Sequence, residues 1–264
     1  MFAKKPPEFM QKDITTLPPA KGSWSFSALS SFEALPYRFF VESRLKHRGE
    51  QHPAALRGEN VHKSIEDYIM GLTNDKPNDP KIGAWQPEFQ KWRDLYSEGN
   101  DIQLEGDWAF NTDWTPVEWM AQDAWLRAKL DLLYLQNKTS AHVVDWKTGR
   151  KFGNEMKHQQ QGILYAISAF MRFPELEFAR VEFLYLDQPY RSNLEHTYTR
   201  EQALLFEPGF VRRVNKMLTA ELKDFAPPMT LDGLPKYQQD WLRDPANYGH
   251  DNNPFDPPFY VDRL

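Results

Sequence analysis

Two aspartates and a lysine form the densest chemical grouping in this chain. They lie in Trp125–Asp131 (WLRAKLD) and Val143–Gly149 (VVDWKTG). With Leu135 and Ala141 as the ends of a hairpin and Gln136–Ser140 as its loop, symmetric pairing about Lys138 sets Asp131 opposite Asp145. Like charges facing each other across a ladder destabilise a sheet. The arrangement makes sense with a cation between them, and oxygen donors of this kind suit Mg²⁺ or Mn²⁺. A strand's period of two puts Asp145 and Lys147 on one face and Trp146 on the other. Such a trio suits metal-assisted hydrolysis of a phosphodiester, the metal acidifying a bound water and Lys147 positioning the nucleophile or balancing charge. The plainer alternative is a solvated Asp–Lys pair, because D-x-K is short enough to recur by chance, and a bulge would shift the register.

Two helical stretches add polar groups. In Arg57–Glu66 (RGENVHKSIE), Gly58, His62 and Glu66 are four apart and share a face, offset from the apolar stripe Val61, Ile65, Ile69. A glycine one turn before a histidine admits a close neighbour. His62 is then either a metal or phosphate contact or a half-buried histidine with a satisfied hydrogen bond. In His158–Ala166 (HQQQGILYA), Gln161 and Tyr165 are likewise four apart, beside the core residues Ile163, Leu164 and Ile167.

The elements that must hold these groups follow from periodicity. Helices are predicted over Ser25–Lys46 with a break at Pro36, over Ala54–Met70 and over Trp85–Tyr96, with a loop at Thr73–Gly83. Strands are predicted over Ile102–Phe110, Val117–Gln122, Leu126–Leu135, Ala141–Trp146 and Arg180–Leu186. A helix over Asn154–Met171 and a long one over Thr199–Phe225, with Leu204, Leu205, Val211, Val214 and Leu218 as core, complete the pattern. This order predicts one mixed α/β (α+β) domain. Residues 1–22 read as an arm, 23–226 as the domain, and 227–264 as a proline- and aromatic-rich segment packing on it.

Composition bounds the function. The 264 residues carry a net charge of −5, the wrong sign for a general polyanion binder, so nucleic-acid contact needs a local basic patch or a metal. Zero cysteines exclude disulfides, thiolate-held iron–sulfur clusters and cysteine nucleophiles. A mean hydropathy of −0.70 without a long apolar run predicts no membrane span. The first residues have no signal-peptide core, which predicts an intracellular, cytoplasmic protein. There is no G-x-x-x-x-G-K-[ST], G-x-S-x-G or H-E-x-x-H motif.

Taken in series, these segments resemble the PD-(D/E)XK nuclease superfamily in its RecB-type exonuclease branch, of the kind phages and mobile elements carry. Ser25–Phe40 is similar to the branch's opening helix pair, Gly58–His62 to its G-x-x-x-H motif, Leu126–Asp131 to its first acidic strand, Asp145–Gly149 to D-x-K-T-G, and Gln161–Tyr165 to Q-x-x-x-Y. The resemblance implies a restriction-endonuclease-like core (αβββαβ). It implies one or two Mg²⁺ or Mn²⁺ ions held by His62, Asp131, Asp145 and the Trp146 carbonyl, with Lys147 catalytic alongside Asp145 and Asp131. Glu105 and Glu66 are accessory candidates, and Gln161 and Tyr165 would contact DNA or brace the site. Members with a four-iron cluster use cysteines where this chain has Leu35 and a thiol-free C-terminal region. Aromatic packing by Tyr237, Trp241, Tyr248, Phe255 and Phe259 is expected to tie the chain ends instead. Ala128 stands where a glycine is common.

Basic residues crowd Arg38, Arg44, Lys46, His47, Arg48 and Arg57, and again Lys147, Arg150, Lys151, Lys157 and His158. They are expected to line a groove for the DNA backbone, with Tyr37, Phe39 or Trp146 stacking bases. The expected activity is a metal-dependent exonuclease acting on linear DNA ends in recombination or DNA processing, in the host cytoplasm if phage-encoded. A single-strand annealing or single-strand-binding protein is its expected partner. The alternatives are a structure-selective endonuclease with the same site and a non-catalytic DNA-binding or assembly protein on this fold.

Overall fold

The computed structural model describes residues 22–49, 51–249 and 252–261. The expected arm over 1–22 therefore lies, but for Gly22, outside the described residues. The chain forms two compact units. One takes Gly22–Phe26 and Gln51–Arg212; the other takes the described parts of Ser27–Glu50 and Arg213–Leu264.

The larger unit is built on one mixed sheet. Its strands are β1 (Ile102–Phe110), β2 (Pro116–Val117), β3 (Leu126–Asn137), β4 (Ser140–Lys147), β5 (Phe178–Tyr185) and β6 (Asn193–Thr199), in the order β2-β1-β3-β4-β5-β6. All neighbours are antiparallel except β4 and β5, which run parallel. Parallel strands need a crossover, and the helix Glu155–Arg172 supplies it. β4 is buried at six successive positions, as a strand covered on both faces must be. On one face, Val144, Trp146, Leu132 and Leu184 pack with Val61, Ile65 and Ile69 of the helix Pro53–Ile69 and with Phe89 and Trp92 of the helix Gln86–Ser97. On the other, Gly162 lets the crossover helix approach closely: a Cβ there would stand 3.1 Å from the Phe183 ring and 3.3 Å from Val181.

Numbered in chain order, the helices are α1 (Phe26–Ala34), α2 (Pro36–Phe39), α3 (Pro53–Ile69), α4 (Gln86–Ser97), α5 (Glu155–Arg172), α6 (Arg200–Leu204), α7 (Glu207–Leu218) and α8 (Lys236–Arg243). Most elements match expectation, and the differences have local causes. The long helix over Thr199–Phe225 is two, α6 and α7, because Pro208 belongs in a first turn and opens a new helix. Leu205, expected in the core, is 76% exposed at the break. The strand over Val117–Gln122 shrinks to Pro116–Val117, and the polar edge strand β6 was not foreseen. The hairpin loop is also shorter. Asn137 pairs with Ser140 after a bulge, and the Asn137 side chain accepts from the backbone and hydroxyl of Thr139, which closes a two-residue turn.

In the smaller unit, α2 runs into a π-helical turn over Phe40–Arg44. Tyr37 is its hub. The ring stacks on Tyr248 at 5.1 Å and meets Trp241 and Phe255 edge-on at 5.9 and 5.8 Å. Its hydroxyl donates to the Asn247 carbonyl (3.1 Å) and accepts from Asn253 Nδ2 (2.9 Å). The aromatic tie between opening helices and C-terminal segment thus exists, without Tyr237 and Phe259, which are exposed. Tyr37 itself is 0% exposed, so it is packing and not a base-stacking surface; Phe39 and Trp146 are buried likewise.

Candidate active site

The pairs from Leu135↔Ala141 to Leu132↔Val144 carry Asp131 opposite Asp145 if the register continues. The ladder stops there. Asp131 Oδ2 takes the Trp146 N–H at 2.6 Å, so a side chain replaces the strand carbonyl. Across β3, Leu104↔Leu132 and Gly106↔Leu130 leave Glu105 opposite Asp131 and outside the regular pairing. Glu105 has φ +47, a conformation that L residues adopt at a cost of roughly 1–3 kcal/mol and that gathers at functional sites. Three acids from adjacent strands therefore fall in one row. His62 of α3 joins them, its Nδ1 3.2 Å from Asp131 Oδ1.

Ligand atoms of His62, Glu105 and Asp131 all lie within 4.8 Å of one another. A single hard divalent ion, with bonds of about 2.0–2.6 Å, bridges that span. The donor set fits: one imidazole and two carboxylates suit Mn²⁺ or Mg²⁺. Glu105, expected as an accessory, stands in this cluster. Asp145 does not, because its oxygens are turned elsewhere. Oδ1 lies 3.0 Å from the Tyr165 hydroxyl, and Oδ2 is 2.6 Å from Lys147 Nζ as an ion pair, off the direction of a hydrogen bond.

The electrostatics record crowded negative charge. Burial lifts the Asp145 carboxyl above the usual carboxylate range, with Lys147 opposing and Asp131 adding to the lift. Burial likewise raises Glu105, reinforced by Asp131 and Glu66 and opposed by Lys129 and His62. For His62, burial disfavours the charged ring, yet Asp131 and Asp145 outweigh it and the pKa rises. Glu66 is itself paired with Lys63 at 2.9 Å.

Lys147 completes a closed ring of polar contacts. Nζ donates to Gln161 Oε1 (3.3 Å), Gln161 Nε2 donates to the Tyr165 hydroxyl (2.6 Å), and that hydroxyl reaches Asp145. The single Tyr165 proton goes to Asp145 or to the Lys129 carbonyl, also at 3.0 Å. Tyr165 is 4% exposed, so of its two expected roles the structure assigns bracing and not DNA contact. Gly58 has its reason here as well: a Cβ would lie 3.0 Å from Thr148 Oγ1, so the glycine brings α3 against the D-W-K-T-G segment.

The expected DNA contacts fare unevenly. Arg57 is spent as a clasp: Nε and Nη2 bond Asp79 at 2.7 Å each, and Nη1 and Nη2 bond Asp187 at 2.9 and 2.8 Å. Lys151 donates to the Asn193 carbonyl and lies over the Tyr185 ring. Arg38, in the smaller unit, pairs with Glu42 and stacks over Trp241. His158 is held neutral, its pKa pushed down to about 4 by burial, then by Lys147 and Lys157. Arg150 and Lys157 are exposed. Sequence reasoning missed Lys129, 3.9 Å from Glu105 and 3.2 Å from Asp107. Its place two residues before Asp131 was the available signal.

A family model of the PD-(D/E)XK nuclease superfamily matches residues 23–232. The chain belongs to that superfamily. Nucleases of the PD-(D/E)XK superfamily use divalent metals, in keeping with the donor cluster, and membership supports a nuclease enzyme. Having no cysteine, this member holds no cysteine-ligated cluster. Among solved structures the chain is similar to SSO0001 (13% identity, TM-score 0.38, 75% of each chain covered). It is also similar to an alkaline exonuclease from Laribacter hongkongensis (13% identity, TM-score 0.30, 75% of this chain and 86% of that one). No curated protein matches its sequence. No helix among the described residues is long and apolar enough to cross a membrane.

Proposed function

We propose that this chain is a divalent-metal-dependent DNA exonuclease of RecB type, acting in recombination or DNA processing. The observation that carries the reading is the row Glu105, Asp131, Asp145 across three strands, with His62 beside Asp131 and Lys147 beside Asp145. Opposed carboxylates serve no binding role for a polyanion; they serve one for a cation. His62, Glu105 and Asp131 would hold Mg²⁺ or Mn²⁺, and Asp145 would join them, with the Trp146 carbonyl, only by turning a carboxylate oxygen away from Lys147 or Tyr165. Bound there, the ion supplies Lewis-acid activation of the phosphodiester and of water. Lys147, oriented by Asp145 and Gln161, offers its ammonium to charge developing on the phosphate. The proposed nuclease domain is residues 23–226.

The test is digestion of linear DNA labelled at either end, beside closed circles, with Mg²⁺, Mn²⁺ or EDTA. Metal-dependent loss of linear DNA from an end with circles intact is the expected result. Cut circles would make it an endonuclease. Lys147→Ala should lower hydrolysis at least about 100-fold while DNA binding persists; near wild-type cleavage in that variant refutes the assignment.

A further inference from the structure

Directly after Lys147 the chain enters a seven-residue loop, Thr148–Asn154, before α5 begins. Its tip is a β-turn in which Asn154 N–H donates to the Lys151 carbonyl at 3.1 Å. Gly153, at the third position, has φ +87, the signature of a type II turn that glycine permits. Phe152 takes the second position, and its side chain is 79% exposed. The loop is not slack. Asn154 Nδ2 donates to the Arg150 carbonyl (2.9 Å), Lys151 Nζ to the Asn193 carbonyl (2.9 Å), and Gly153 N–H to the Glu155 carboxylate (2.7 Å). A braced turn thus holds a phenyl ring out in water.

Its surroundings say what would cover it. Arg150 and Lys157 are exposed, and neither side chain has a hydrogen-bond or ion-pair partner among the described residues. Lys157 stands one turn before Gln161, in line with Gln161 and Tyr165 along α5, on the side that reaches Lys147. A protein core partner would not choose an aromatic tip between two unpaired cations. A nucleic-acid strand does, because it offers a π-face to the ring and phosphates to the cations. Phe152 follows Lys147 by five residues, at most about 18 Å of chain. The tip is therefore within reach of a strand whose phosphate lies at Lys147.

We propose that Phe152 is a base-stacking tip that receives an unpaired base of the DNA strand entering the site, with Arg150 and Lys157 on the flanking phosphates. The inference rests on the nuclease reading and adds a substrate contact to it. The experiment titrates a single-stranded oligonucleotide carrying 2-aminopurine with the full chain in EDTA, and measures metal-dependent cleavage of the same strand in parallel. Phe152→Ala should weaken binding about 5- to 150-fold, equal to about 1–3 kcal/mol at 1.36 kcal/mol per tenfold. It should also abolish the 2-aminopurine quenching without changing Tm, since the side chain is exposed. Phe152→Trp should restore both, and Phe152→Leu neither. Wild-type affinity in Phe152→Ala or in Phe152→Leu overturns the stacking role while the nuclease reading stands on wild-type cleavage. A wild-type chain that does not bind the strand overturns the stacking role, and the nuclease reading falls with it only if linear duplex DNA is also left intact in Mg²⁺ and Mn²⁺.

Discussion

Gly58→Ala separates a helix's own preference from what its neighbour allows. In an exposed helix interior, alanine is favoured over glycine by about 1 kcal/mol. At position 58, however, the new Cβ stands 3.0 Å from Thr148 Oγ1, where ordinary contact begins at 3.4 Å. Threonine is stiff at χ1, so the hydroxyl does not swing aside freely. Overpacking of this kind costs about 1–3 kcal/mol. The two effects oppose each other, and with an overpacking cost of about 2 kcal/mol at mid-range the net loss is about 1 kcal/mol, or about 2–4 °C in Tm for a chain of this size. Activity is where the clash shows. Thr148 must give by about 0.4 Å, and it is bonded to Lys147; with about 100-fold lost per 1 Å of misplacement, the expected fall in kcat is about 6-fold. The assay is metal-dependent hydrolysis of end-labelled linear DNA by Gly58→Ala, Thr148→Ala and the double variant. Thr148→Ala removes the clashing oxygen, so the double variant should recover the rate relative to Gly58→Ala. Full activity in Gly58→Ala, or the same loss in the Thr148→Ala background, refutes the close-approach argument.

Asp131→Asn keeps an oxygen for the Trp146 N–H but removes a charge from the His62–Glu105–Asp131 cluster. The variant should fold yet lose its Mn²⁺-dependent rise in Tm, which at 100 times Kd amounts to about 2.7 kcal/mol in the wild type. Tyr37→Phe keeps the aromatic stack but strands the Asn247 carbonyl and leaves Asn253 Nδ2 with only its bond to the Tyr248 carbonyl. A loss of about 2 kcal/mol, or about 4–8 °C, with unchanged DNA affinity is expected; weakened DNA binding at permissive temperature would return Tyr37 to the DNA surface. Acid stability should follow Glu182. Burial alone would raise this carboxyl, but hydrogen bonds from His142 and Asn193, with Arg180 nearby, carry it down to about 2 from 4.5. The folded state thus resists the proton that the unfolded chain accepts, and stability is lost as pH falls from 4.5 toward 2. His142, lowered from 6.5 by burial with Glu182 opposing, adds loss of the same sign below pH 6.5. Thermal melts of Glu182→Gln should show a shallower slope between pH 4.5 and 2 than the wild type; an identical slope rejects the pair as its source.

Local periodicity carries far in this chain because most elements are long and strongly patterned. β1, β3, β4, β5, α3, α4 and α5 sit within a few residues of where alternation or the spacing of four puts them. β6 escaped because its segment, NLEHTYT, is a polar edge strand whose only buried residue is Tyr198. In the site, the hairpin register sets Asp131 opposite Asp145, as the ladder up to Leu132↔Val144 projects, while the approach of His62 to Asp131 comes from the G-x-x-x-H resemblance and not from periodicity. Glu105 was undervalued because alternation has no way to register a backbone at φ +47. Tyr37 and Arg57 were misassigned for a common reason. An aromatic or an arginine in a basic stretch reads as DNA-facing, whereas burial under Tyr248 and clasping by Asp79 and Asp187 are long-range facts.

Three local rules fail within one small region, and their coincidence is the strongest argument for its chemistry. A β-ladder is interrupted by a side chain at Asp131, a non-glycine residue holds a left-handed conformation at Glu105, and Asp145 carries its carboxyl into a site 3% exposed. Backbone strain costs roughly 1–3 kcal/mol, and an imperfectly compensated buried charge costs several more. Set against a whole-domain stability of about 5–15 kcal/mol, such losses are not incidental. Lys147 offsets part of the charge but sits on the Asp145 side, while Glu105 and Asp131 face His62. At the His62 end the two carboxylates have the imidazole and, 3.9 Å from Glu105, Lys129 to offset them, and on the proposed reading a divalent cation completes that balance. Lys147 stands outside the His62–Glu105–Asp131 group, and on the proposed reading its ammonium is left for the phosphate.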